Sequence, residues 1–345
     1  MSTLRTAVAM LTVLAACSKD KPTATVDAAP TPSTSASSLF AFTFADAGPT
    51  PSASSAPAAF DPAPYSSAAP ISGKSIGHTS VVFKLHLVSS AGAGTGELDV
   101  AFKPESKRGK KRWRGEVAAY RLGVALHLPN VPPAIARSFD AGTLRGSLAK
   151  DAAAAKLYDD EVITHPAAVG YEVRGAMMPW IPKLEFLPLE SASWRGRFTA
   201  WLAKDGAIPE DQVALAGQIS TMIVFDLLTG NWDRWSGGNV GLDRAANVLL
   251  FIDNDGAFFD PAPPQPLAAQ QALFKKTDKF SRAFVGRLRA LDPIALADAI
   301  GVDAPGEPLL APKVLADVDA RRREVLAGID AKIAQWGEAS VLAFP

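Results

Sequence analysis

Apolar and polar residues alternate along two segments in the first half of the chain, which is the pattern of strands that have one buried face. The segments are 81–88 and 98–103, and the glycine-rich stretch 89–96 lies between them. This arrangement predicts a β-hairpin whose turn is formed by the glycine-rich stretch. A second pair of strands is predicted over 170–187, with prolines near their crossing.

Elsewhere the apolar spacing changes to that of amphipathic helices. The first helix is predicted over 116–126, and the chain is expected to run extended after it because Pro132 and Pro133 cannot continue a helix. A long helix is predicted to begin at Pro209 and to end at Gly230, a residue suited to a left-handed C-cap. Further helices are predicted over 267–275, 279–291, 293–300 and 312–336.

A strand-rich first half and a helical second half predict an α+β fold. We expect two lobes, a β-rich N-terminal lobe over 71–182 and a helical C-terminal lobe over 183–345. The second lobe is predicted to contain one short hairpin, in which 240–242 pairs with 248–252. The length of 345 residues is compatible with one large domain or with two such lobes.

The N-terminal residues have the pattern of an export signal. Residues 1–16 contain Arg5 and an apolar stretch, and Leu14-Ala15-Ala16 leads directly to Cys17. This segment 1–17 resembles the signal and lipobox of a bacterial lipoprotein precursor, in which Cys17 is acylated and anchors the protein to a membrane. The alternative is an ordinary signal peptide with an incidental cysteine. Since Cys17 is the only cysteine, no disulfide is expected to stabilise the folded part.

Residues 18–70 are rich in Ser, Ala, Pro and Thr and show no sustained apolar period. Such a segment buries too little apolar surface to offset the entropy of ordering, so we predict a disordered tether. Ser18, which follows the cysteine, carries no inner-membrane retention signal, and this favours attachment to the outer membrane.

Charge and histidine content exclude some functions. The chain has 35 basic and 35 acidic side chains, and this net charge of zero gives no electrostatic reason to expect nucleic-acid binding. The four histidines are scattered without metal-ligand spacing, so no zinc site is expected. The basic run 107–114 is interpreted as a solvated loop, with attraction of an acidic substrate or of anionic lipid headgroups as the alternatives.

Two aspartates and an asparagine in the second half suit phosphoryl transfer, which needs a group for the acceptor and ligands for a metal ion. Asp233 follows the long predicted helix, Asn239 comes six residues later, and Asp253 ends a predicted strand. We interpret Asp233 as the group that positions or deprotonates an acceptor hydroxyl. Asp253 and Asn239 are interpreted as ligands of Mg²⁺ or Mn²⁺. Asp255 is either an additional ligand or part of the following turn.

Lys103 and Glu116 are candidates for binding nucleotide phosphates. Lys103 ends a predicted strand and Glu116 opens a predicted helix thirteen positions later. Phosphoryl-transfer enzymes of the kinase fold use a strand lysine on the α- and β-phosphates and hold it with a helix glutamate. The alternative is an exposed surface pair of little energetic importance.

Four segments between residues 100 and 260 are similar, in the same order, to motifs of a known family. They are Phe102-Lys103-Pro104, residues 116–122 followed by 131–133, residues 225–234, and Ile252-Asp253-Asn254. Together they resemble the secretory-pathway atypical kinases, the family that contains the Golgi casein kinase and the four-jointed box kinase. The resemblance implies a two-lobed kinase-like fold with Lys103 and Glu116 at the nucleotide. It also implies that Asp233 is catalytic and that Asp253 binds the metal ion.

The order of elements in that family also implies where the nucleotide lies. Residues 72–79, which include Gly73 and Gly77, are expected to approach the phosphates. Residues 177–182 fall where a hinge between lobes is expected. There Met178 is expected at the adenine, with Met177 or Trp180 as alternatives and core packing as the other explanation.

The chain departs from the family in three respects that bear on function. Eukaryotic members are stabilised by disulfides, for which this chain has no pair of cysteines, and Asn239 is placed more as in protein and lipid kinases. The metal motif also has Asp255 between Asn254 and Gly256, where family members often run straight to Gly. Relatives phosphorylate either proteins or sugars, so the acceptor remains open. The resulting hypothesis is a membrane-anchored exported phosphotransferase that uses ATP and Mg²⁺ or Mn²⁺, with its oligomeric state open. An inactive pseudokinase that binds a ligand or partner, and an enzyme that transfers AMP, are the alternatives.

Overall fold

A computed structural model describes residues 60–77, 79–89, 96–303 and 306–345. The predicted signal segment 1–17 with Cys17 and most of the predicted tether 18–70 lie outside the described residues. Residues 90–95 of the glycine-rich turn lie outside them as well.

Within the described residues, strands of the first half form one antiparallel sheet with the order β1-β2-β3-β6-β4, and β5 also pairs with β6. The strands are β1 (Ala69–Ser75), β2 (Phe83–Ser89), β3 (Gly96–Pro104), β4 (Ile135–Asp140), β5 (His165–Pro166) and β6 (Tyr171–Pro179). The helices of this half are α1 (Ala63–Ser67), α2 (Trp113–Ala125), α3 (Ala141–Ser147) and α4 (Ala152–Glu161).

The two faces of this sheet have different partners. Leu85, Phe102 and Met177, on three neighbouring strands, belong to one buried apolar cluster that α3 and α4 help to form. Because side chains alternate along a strand, Lys103 lies on the opposite face from Phe102. On that face Ala176 joins the second apolar cluster of the molecule together with residues of α2. The sheet therefore presents Lys103 toward α2 and the second half of the chain.

The second half is mainly helical. Its helices are α5 (Ala192–Leu202), α6 (Val213–Thr229), α7 (Pro264–Lys275), α8 (Arg282–Ala290), α9 (Pro293–Ile300), α10 (Pro312–Trp336) and α11 (Glu338–Val341). A small antiparallel sheet with the order β7-β8-β9 consists of β7 (Glu185–Phe186), β8 (Val240–Asp243) and β9 (Val248–Phe251).

Helix α6 is the central helix of this half. It ends at Gly230, which has φ 63° and ψ 34°, so the predicted left-handed C-cap is confirmed. Among the described residues, Glu210–Thr229 is the helical segment whose length and composition would also allow it to cross a membrane. Most of it is buried inside the helical half, as in a core helix, so its apolar character is accounted for by packing.

The strand pair predicted over 170–187 is wrong in its pairing. Tyr171–Pro179 forms β6 of the large sheet, whereas Glu185–Phe186 forms β7, which pairs with β8. The intervening residues carry the chain from one sheet to the other, and Pro182 cannot donate a ladder hydrogen bond there. The change of sheet falls close to the lobe boundary predicted at 182.

The folded part begins before residue 70, where the predicted tether was expected to end. Helix α1 and the first two residues of β1 lie within the predicted tether, and Tyr65 and Ala68 are buried. The ring of Phe60 packs against those of Tyr65 and Tyr120, with centroids 5.2 and 6.4 Å apart. The low apolar content of this segment concealed these contacts, since each anchoring aromatic residue is isolated in the sequence.

Besides the short helices α1 and α11, three longer helices were not predicted, namely α3, α4 and α5. Each begins with a polar N-cap whose side chain accepts a hydrogen bond from a main-chain N–H in the first turn, and these caps are Asp140, Asp151 and Ser191. Such caps are a recognisable helix signal that could have identified these helices. The predicted α+β organisation, with a strand-rich first half and a helical second half, is confirmed.

Candidate active site

Lys103 lies at the centre of the candidate site. It is the penultimate residue of β3, and its ammonium group contacts Glu116 Oε1 of α2 at 2.5 Å. It also donates to Asp253 Oδ1, at 2.6 Å, in the loop after β9. Lys103 is only 8% exposed and Glu116 only 3%. The predicted lysine–glutamate contact is thus a buried ion pair, and the alternative of an exposed surface pair is wrong.

The charges of this cluster are set by burial and by the short contacts. Burial alone would lower the pKa of Lys103, but the carboxylates of Glu116 and Asp253 raise that pKa above its ordinary value. Burial raises the pKa of Glu116 in spite of the lysine. Burial also works against ionisation of Asp253, yet Lys103 holds the pKa of that carboxyl below its usual range. The site therefore keeps a charged lysine and an ionised Asp253.

The loop that carries Asp253 is fixed by α2. Asp253 has φ 57°, and the Asn254 main-chain N–H donates to Glu116 Oε2 at 3.0 Å. Asn254 also donates from its side chain to the Phe251 carbonyl at 2.8 Å. A Cβ atom at Gly115 would lie 2.7 Å from the Asn254 carbonyl oxygen, so glycine permits this close approach. Glu116 therefore positions both Lys103 and the loop of Asp253.

Asp255 joins the two halves of the site. It is 4% exposed, and Arg112 Nη2 contacts its Oδ1 at 2.5 Å. Its Oδ2 accepts from Ser80 Oγ at 3.2 Å and lies 3.4 Å from Lys103 Nζ. Both carboxylate oxygens are thus engaged by residues of the first half. Asp255 lies in the short 3-10 turn Asn254–Gly256, as the turn interpretation expected, and its carboxylate also joins the two halves of the site. Its role as a metal ligand stays a prediction.

Asp233 lies beside the same loop. The Trp232 main-chain N–H donates to the Gly256 carbonyl at 3.2 Å, and a Cβ atom at Gly256 would lie 2.8 Å from Asp233 Cβ. Asn239 Nδ2 donates to the Asp233 carbonyl at 2.7 Å. Among the described residues, the Asp233 carboxylate has no hydrogen-bonding partner. The structure therefore brings the predicted catalytic aspartate and the predicted ligand Asn239 together next to the loop of Asp253.

Arg234 follows the predicted catalytic aspartate in the sequence and holds the loops of the site in place. Its side chain is fully buried, and its Nε donates to Asp226 Oδ1 of α6 at 3.1 Å. Its Nη1 donates to the Asn239 carbonyl at 2.6 Å and also to the Ile252 carbonyl. Its Nη2 donates to Asn254 Oδ1 at 2.6 Å. One guanidinium thus holds the loops of both aspartates on α6.

Asp226, the ion-pair partner of Arg234, has a raised pKa. Burial raises the pKa of Asp226 to about 6, although the Arg234 guanidinium acts in the opposite direction. The sequence signal for this pair was an aspartate inside an otherwise apolar helix, about one turn before its C-terminal end. A buried charged side chain at such a position requires a partner.

Gly73 and Gly77, the two glycines predicted at the phosphates, lie in different elements, one in a strand and the other in a turn. Gly73 lies inside β1, where a Cβ atom would come within 2.8 Å of both the Leu85 and Leu148 side chains. It packs against the sheet core, so its assignment to the phosphates is wrong. Gly77 lies in the turn between β1 and β2, which Ile76 N–H closes by donating to the Val82 carbonyl at 3.0 Å. This turn also contains Ser80, which contacts Asp255.

Met178 lies on the same face of the sheet as Lys103. It pairs with Ala101 across β3 and β6, and directly opposed residues of an antiparallel pair point to the same side. Met177 points to the other face, where it is 1% exposed in the core. Trp180 follows β6, and the Lys84 ammonium lies 4.5 Å from the centroid of its ring. Of the two methionines, Met178 is the one whose position is compatible with an adenine contact.

The basic run 107–114 is largely paired with acidic residues. Arg108 lies 3.4 Å from Glu161, and Arg114 lies 2.7 Å from Asp303. Lys111 lies 3.6 Å from Glu307. These contacts reduce the charge that the loop presents to an acidic substrate or to anionic lipids.

The oxygen atoms around the site suit a hard divalent cation. Among the described residues no group of three or more His, Cys, Asp or Glu side chains is arranged to hold a metal ion by itself. Asp253 uses Oδ1 for Lys103 and, within the described part of the chain, has no hydrogen bond at Oδ2. Asn239 uses its amide nitrogen and leaves its amide oxygen free of such bonds there. Mg²⁺ and Mn²⁺ take such oxygen ligands, and Mg²⁺ commonly completes its shell with substrate phosphates and water.

Solved structures share this fold. The structure of hydra Fam20 with sugar has a TM-score of 0.58 at 16% identity and covers 81% of this chain and 90% of that chain. The Golgi casein kinase has a TM-score of 0.55 at 14% identity, covering 80% of this chain and 76% of that chain. Its structure with Mn/ADP bound has a TM-score of 0.56 at 16% identity, with the same coverages of 80% and 76%.

These similarities establish the fold of the chain. No protein-family model matches the sequence, and no curated protein matches it. The predicted kinase-like fold is confirmed, and the resemblance to the family of the Golgi casein kinase is confirmed at the level of the fold. Activity and acceptor have to be argued from the site itself.

Proposed function

We propose that this protein is an ATP-dependent kinase that transfers the γ-phosphoryl group to a hydroxyl group of a protein or a glycan. The observation that carries the proposal is the convergence at Lys103, whose ammonium lies 2.5 Å from Glu116 and 2.6 Å from Asp253. Asp233 stands beside the same loop, next to Gly256. The fold shared with the Golgi casein kinase, one structure of which contains Mn and ADP, supports the proposal.

Each residue has a role in this proposal. Lys103 binds the α- and β-phosphates, and Glu116 holds its ammonium in place. Asp253 and Asn239 hold Mg²⁺ or Mn²⁺ through their free carboxylate and amide oxygens. When bound, the ion supplies positive charge that offsets the charge of the phosphates. Met178 lies on the face of the sheet where the adenine would pack.

The transfer step places Asp233 at the acceptor. The acceptor oxygen attacks the γ-phosphorus and forms a new P–O bond, while the bond from that phosphorus to the bridging β–γ oxygen breaks and ADP leaves. The proton of the acceptor hydroxyl passes to the Asp233 carboxylate. Since this carboxylate has no hydrogen bond within the described residues, it is free to accept one from the acceptor hydroxyl.

Labelled ATP tests the proposal. The purified full-length protein is incubated with Mn²⁺, with protein and glycan acceptors, and with ATP labelled at either the γ- or the α-phosphate. Transfer of the γ label that is lost in Asp233→Ala and in Asp253→Ala is expected. Transfer of the α label instead would indicate AMP transfer. Nucleotide binding without any transfer would indicate a pseudokinase, and a melting temperature unaffected by nucleotide would contradict all nucleotide-based functions.

We further propose that the protein acts outside the cytoplasm and is attached to a membrane through acylated Cys17. The support is the signal and lipobox pattern in the sequence. Metabolic labelling with a fatty acid is expected to mark the wild-type protein and not Cys17→Ser, and fractionation would report the membrane. Equal labelling of both proteins would contradict the anchor. An exported kinase needs a source of nucleotide in its compartment, so nucleotide affinity is the property to measure first.

A further inference from the structure

A cavity of about 90 Å³ opens directly beside Lys103. Its walls come from the turn between β1 and β2, from the end of β3, and from the loop that precedes α2. The polar side chains that matter for its chemistry are Ser80, Lys103, Arg108, Arg112, Trp113 and Asp255. The cavity is therefore continuous with the candidate active site and is bounded by both halves of the chain.

The walls of this cavity are rich in hydrogen-bond donors. Four cationic residues line it, namely Lys103, Arg108, Lys110 and Arg112. Trp113 is 2% exposed, and its indole Nε1 has no hydrogen-bond partner within the described residues. The acidic residue Asp255 has both carboxylate oxygens engaged, by Arg112 and by Ser80. A pocket with free donors and a neutralised acid is suited to an oxyanion such as a phosphate group.

Arg112 is held in a defined orientation at this cavity. Its Nε donates to the Asp255 carbonyl at 3.1 Å, and its Nη2 contacts Asp255 Oδ1 at 2.5 Å. The guanidinium carbon lies 5.4 Å from the ring centroid of Trp232 and 5.7 Å from that of Phe259. Trp232 immediately precedes Asp233, so Arg112 packs against the segment that carries the predicted catalytic residue.

This arrangement leaves part of the guanidinium available. An arginine side chain has five N–H donors. Asp255 uses Nε and one N–H of Nη2, and Nη1 makes no hydrogen bond to any described residue. A rigid guanidinium with free N–H groups is well suited to a phosphate oxygen, because no side-chain freedom has to be lost when the ligand binds.

We propose that this cavity receives the terminal phosphate of the bound nucleoside triphosphate and that Arg112 is a further phosphate-binding residue. The inference rests on the proposed kinase function and adds a second cation to Lys103. Lys103 serves the inner phosphates, whereas Arg112 binds the group that is transferred. A preoriented cation at that position stabilises the charge that the γ-phosphoryl group carries during transfer.

The preference for a triphosphate over a diphosphate nucleotide tests this inference without relying on turnover. The affinities of the full-length protein for ADP and for a non-hydrolysable ATP analogue are measured with Mn²⁺ by calorimetry. Arg112→Gln is expected to weaken binding of the ATP analogue roughly tenfold and to change binding of ADP little, so the preference for the triphosphate falls roughly tenfold. This is the effect of losing about one hydrogen bond to a charged group. Arg112→Lys keeps the charge, so a smaller decrease in the preference for the triphosphate is expected.

Two further variants separate phosphate binding from a purely structural role. Arg114→Gln removes a neighbouring arginine that pairs with Asp303 outside the cavity. This variant is therefore expected to keep the wild-type preference for the triphosphate over ADP. Asp255→Asn weakens the contact that holds Arg112 but keeps both cations, so a partial loss of the preference for the triphosphate, smaller than in Arg112→Gln, is expected. Loss of the ratio in Asp255→Asn to the same degree as in Arg112→Gln would show that the contact only joins the two halves.

The outcomes distinguish failure of the inference from failure of the proposed function. If the wild type binds both nucleotides and Arg112→Gln keeps the wild-type ratio while circular dichroism shows it folded, Arg112 does not bind the terminal phosphate. If Arg112→Gln does not fold, Arg112→Lys becomes the variant that tests the inference. An Arg112→Lys protein with the wild-type preference for the triphosphate over ADP and the wild-type turnover rate would overturn the inference. If the wild type binds neither nucleotide, the kinase function itself is wrong, and this inference falls with it.

Discussion

Lys103 and Asp253 lie 150 positions apart in the sequence, and their side chains meet with Nζ and Oδ1 2.6 Å apart. Glu116 contacts the same ammonium from α2 and also accepts from the main chain of Asn254. The contact therefore joins the strand, the helix and the loop that the proposed chemistry requires. It also makes the stability of the site depend on a small number of buried charges.

Replacing Lys103 by methionine is expected to abolish nucleotide binding and to destabilise the protein. Without the ammonium, Glu116 and Asp253 face each other as carboxylates with no cation between them, and breaking a buried ion pair of this kind costs about 3 kcal/mol of unfolding free energy. Chemical denaturation and calorimetric titration with ATP are the measurements.

The double variant Lys103→Met/Glu116→Gln provides the control for that prediction. Removing the buried carboxylate together with the lysine is expected to restore part of the lost stability, while nucleotide binding stays absent. If Lys103→Met alone is as stable as the wild type, the ion pair has no net role in folding.

Replacing Asp233 by asparagine is expected to remove activity and leave the fold unchanged. The carboxylate is partly exposed and has no hydrogen-bonding partner among the described residues, so its loss leaves no buried group unsatisfied. Loss of a general base lowers the rate by about 10²–10⁴-fold. Transfer rate, melting temperature and nucleotide affinity are measured together. A variant that transfers phosphate at the wild-type rate would exclude Asp233 as the base.

Protonation of Asp226 is expected to make stability depend on pH in an identifiable way. Its pKa is about 6 in the folded protein and near 3.8 when unperturbed. Between these values the folded state binds a proton that the unfolded state has lost, so the unfolding free energy falls as pH rises from 4 to 6. The change amounts to about 3 kcal/mol and is complete at about pH 7, where Asp226 is ionised in the folded protein as well.

The Asp226→Asn variant isolates this contribution. Its amide does not titrate, so the difference in unfolding free energy between wild type and variant cancels all other groups. As pH rises from 4 to 7, the unfolding free energy of the wild type is expected to fall relative to that of the variant. Movement in favour of the wild type would mean that Arg234 keeps Asp226 ionised with a lowered pKa.

Replacing Gly115 by alanine is expected to disturb the site through a single methyl group. The new Cβ would lie 2.7 Å from the Asn254 carbonyl oxygen, so α2 or the loop of Asp253 has to move. We expect a loss of about 1–3 kcal/mol in unfolding free energy, as for other overpacked positions, and weaker nucleotide binding. Thermal denaturation and nucleotide titration are the measurements.

Gly286→Ala is the matched control. Gly286 lies on an exposed position of α8, and a Cβ atom there would meet nothing within 4 Å. Alanine is therefore expected to stabilise this helix by about 0.5–1 kcal/mol without changing nucleotide affinity. If both variants behave alike, the effect at Gly115 does not arise from the contact with Asn254.

Much of the site could be predicted from the sequence because its parts are local. The helix before Asp233, its end at Gly230 and the strand before Asp253 each follow from apolar spacing and capping residues over a few turns. The pairing of Lys103 with Glu116 followed from the order of a strand and a helix. Local spacing does not indicate whether Lys103 and Glu116 are buried. Only the packing of α2 against the sheet shows that they form a buried pair and not an exposed one.

The sequence by itself determined the α+β order of elements and the residues with the required chemistry, since these depend on neighbours along the chain. Only the tertiary structure decided how they meet. Sheet register placed Gly73 in the core, and the contact of Asp255 with Arg112 spans 143 positions. Burial of Arg234 joined the loops of Asp233 and Asp253 on α6. Such contacts depend on which faces pack together, and no local pattern of apolar residues specifies that choice.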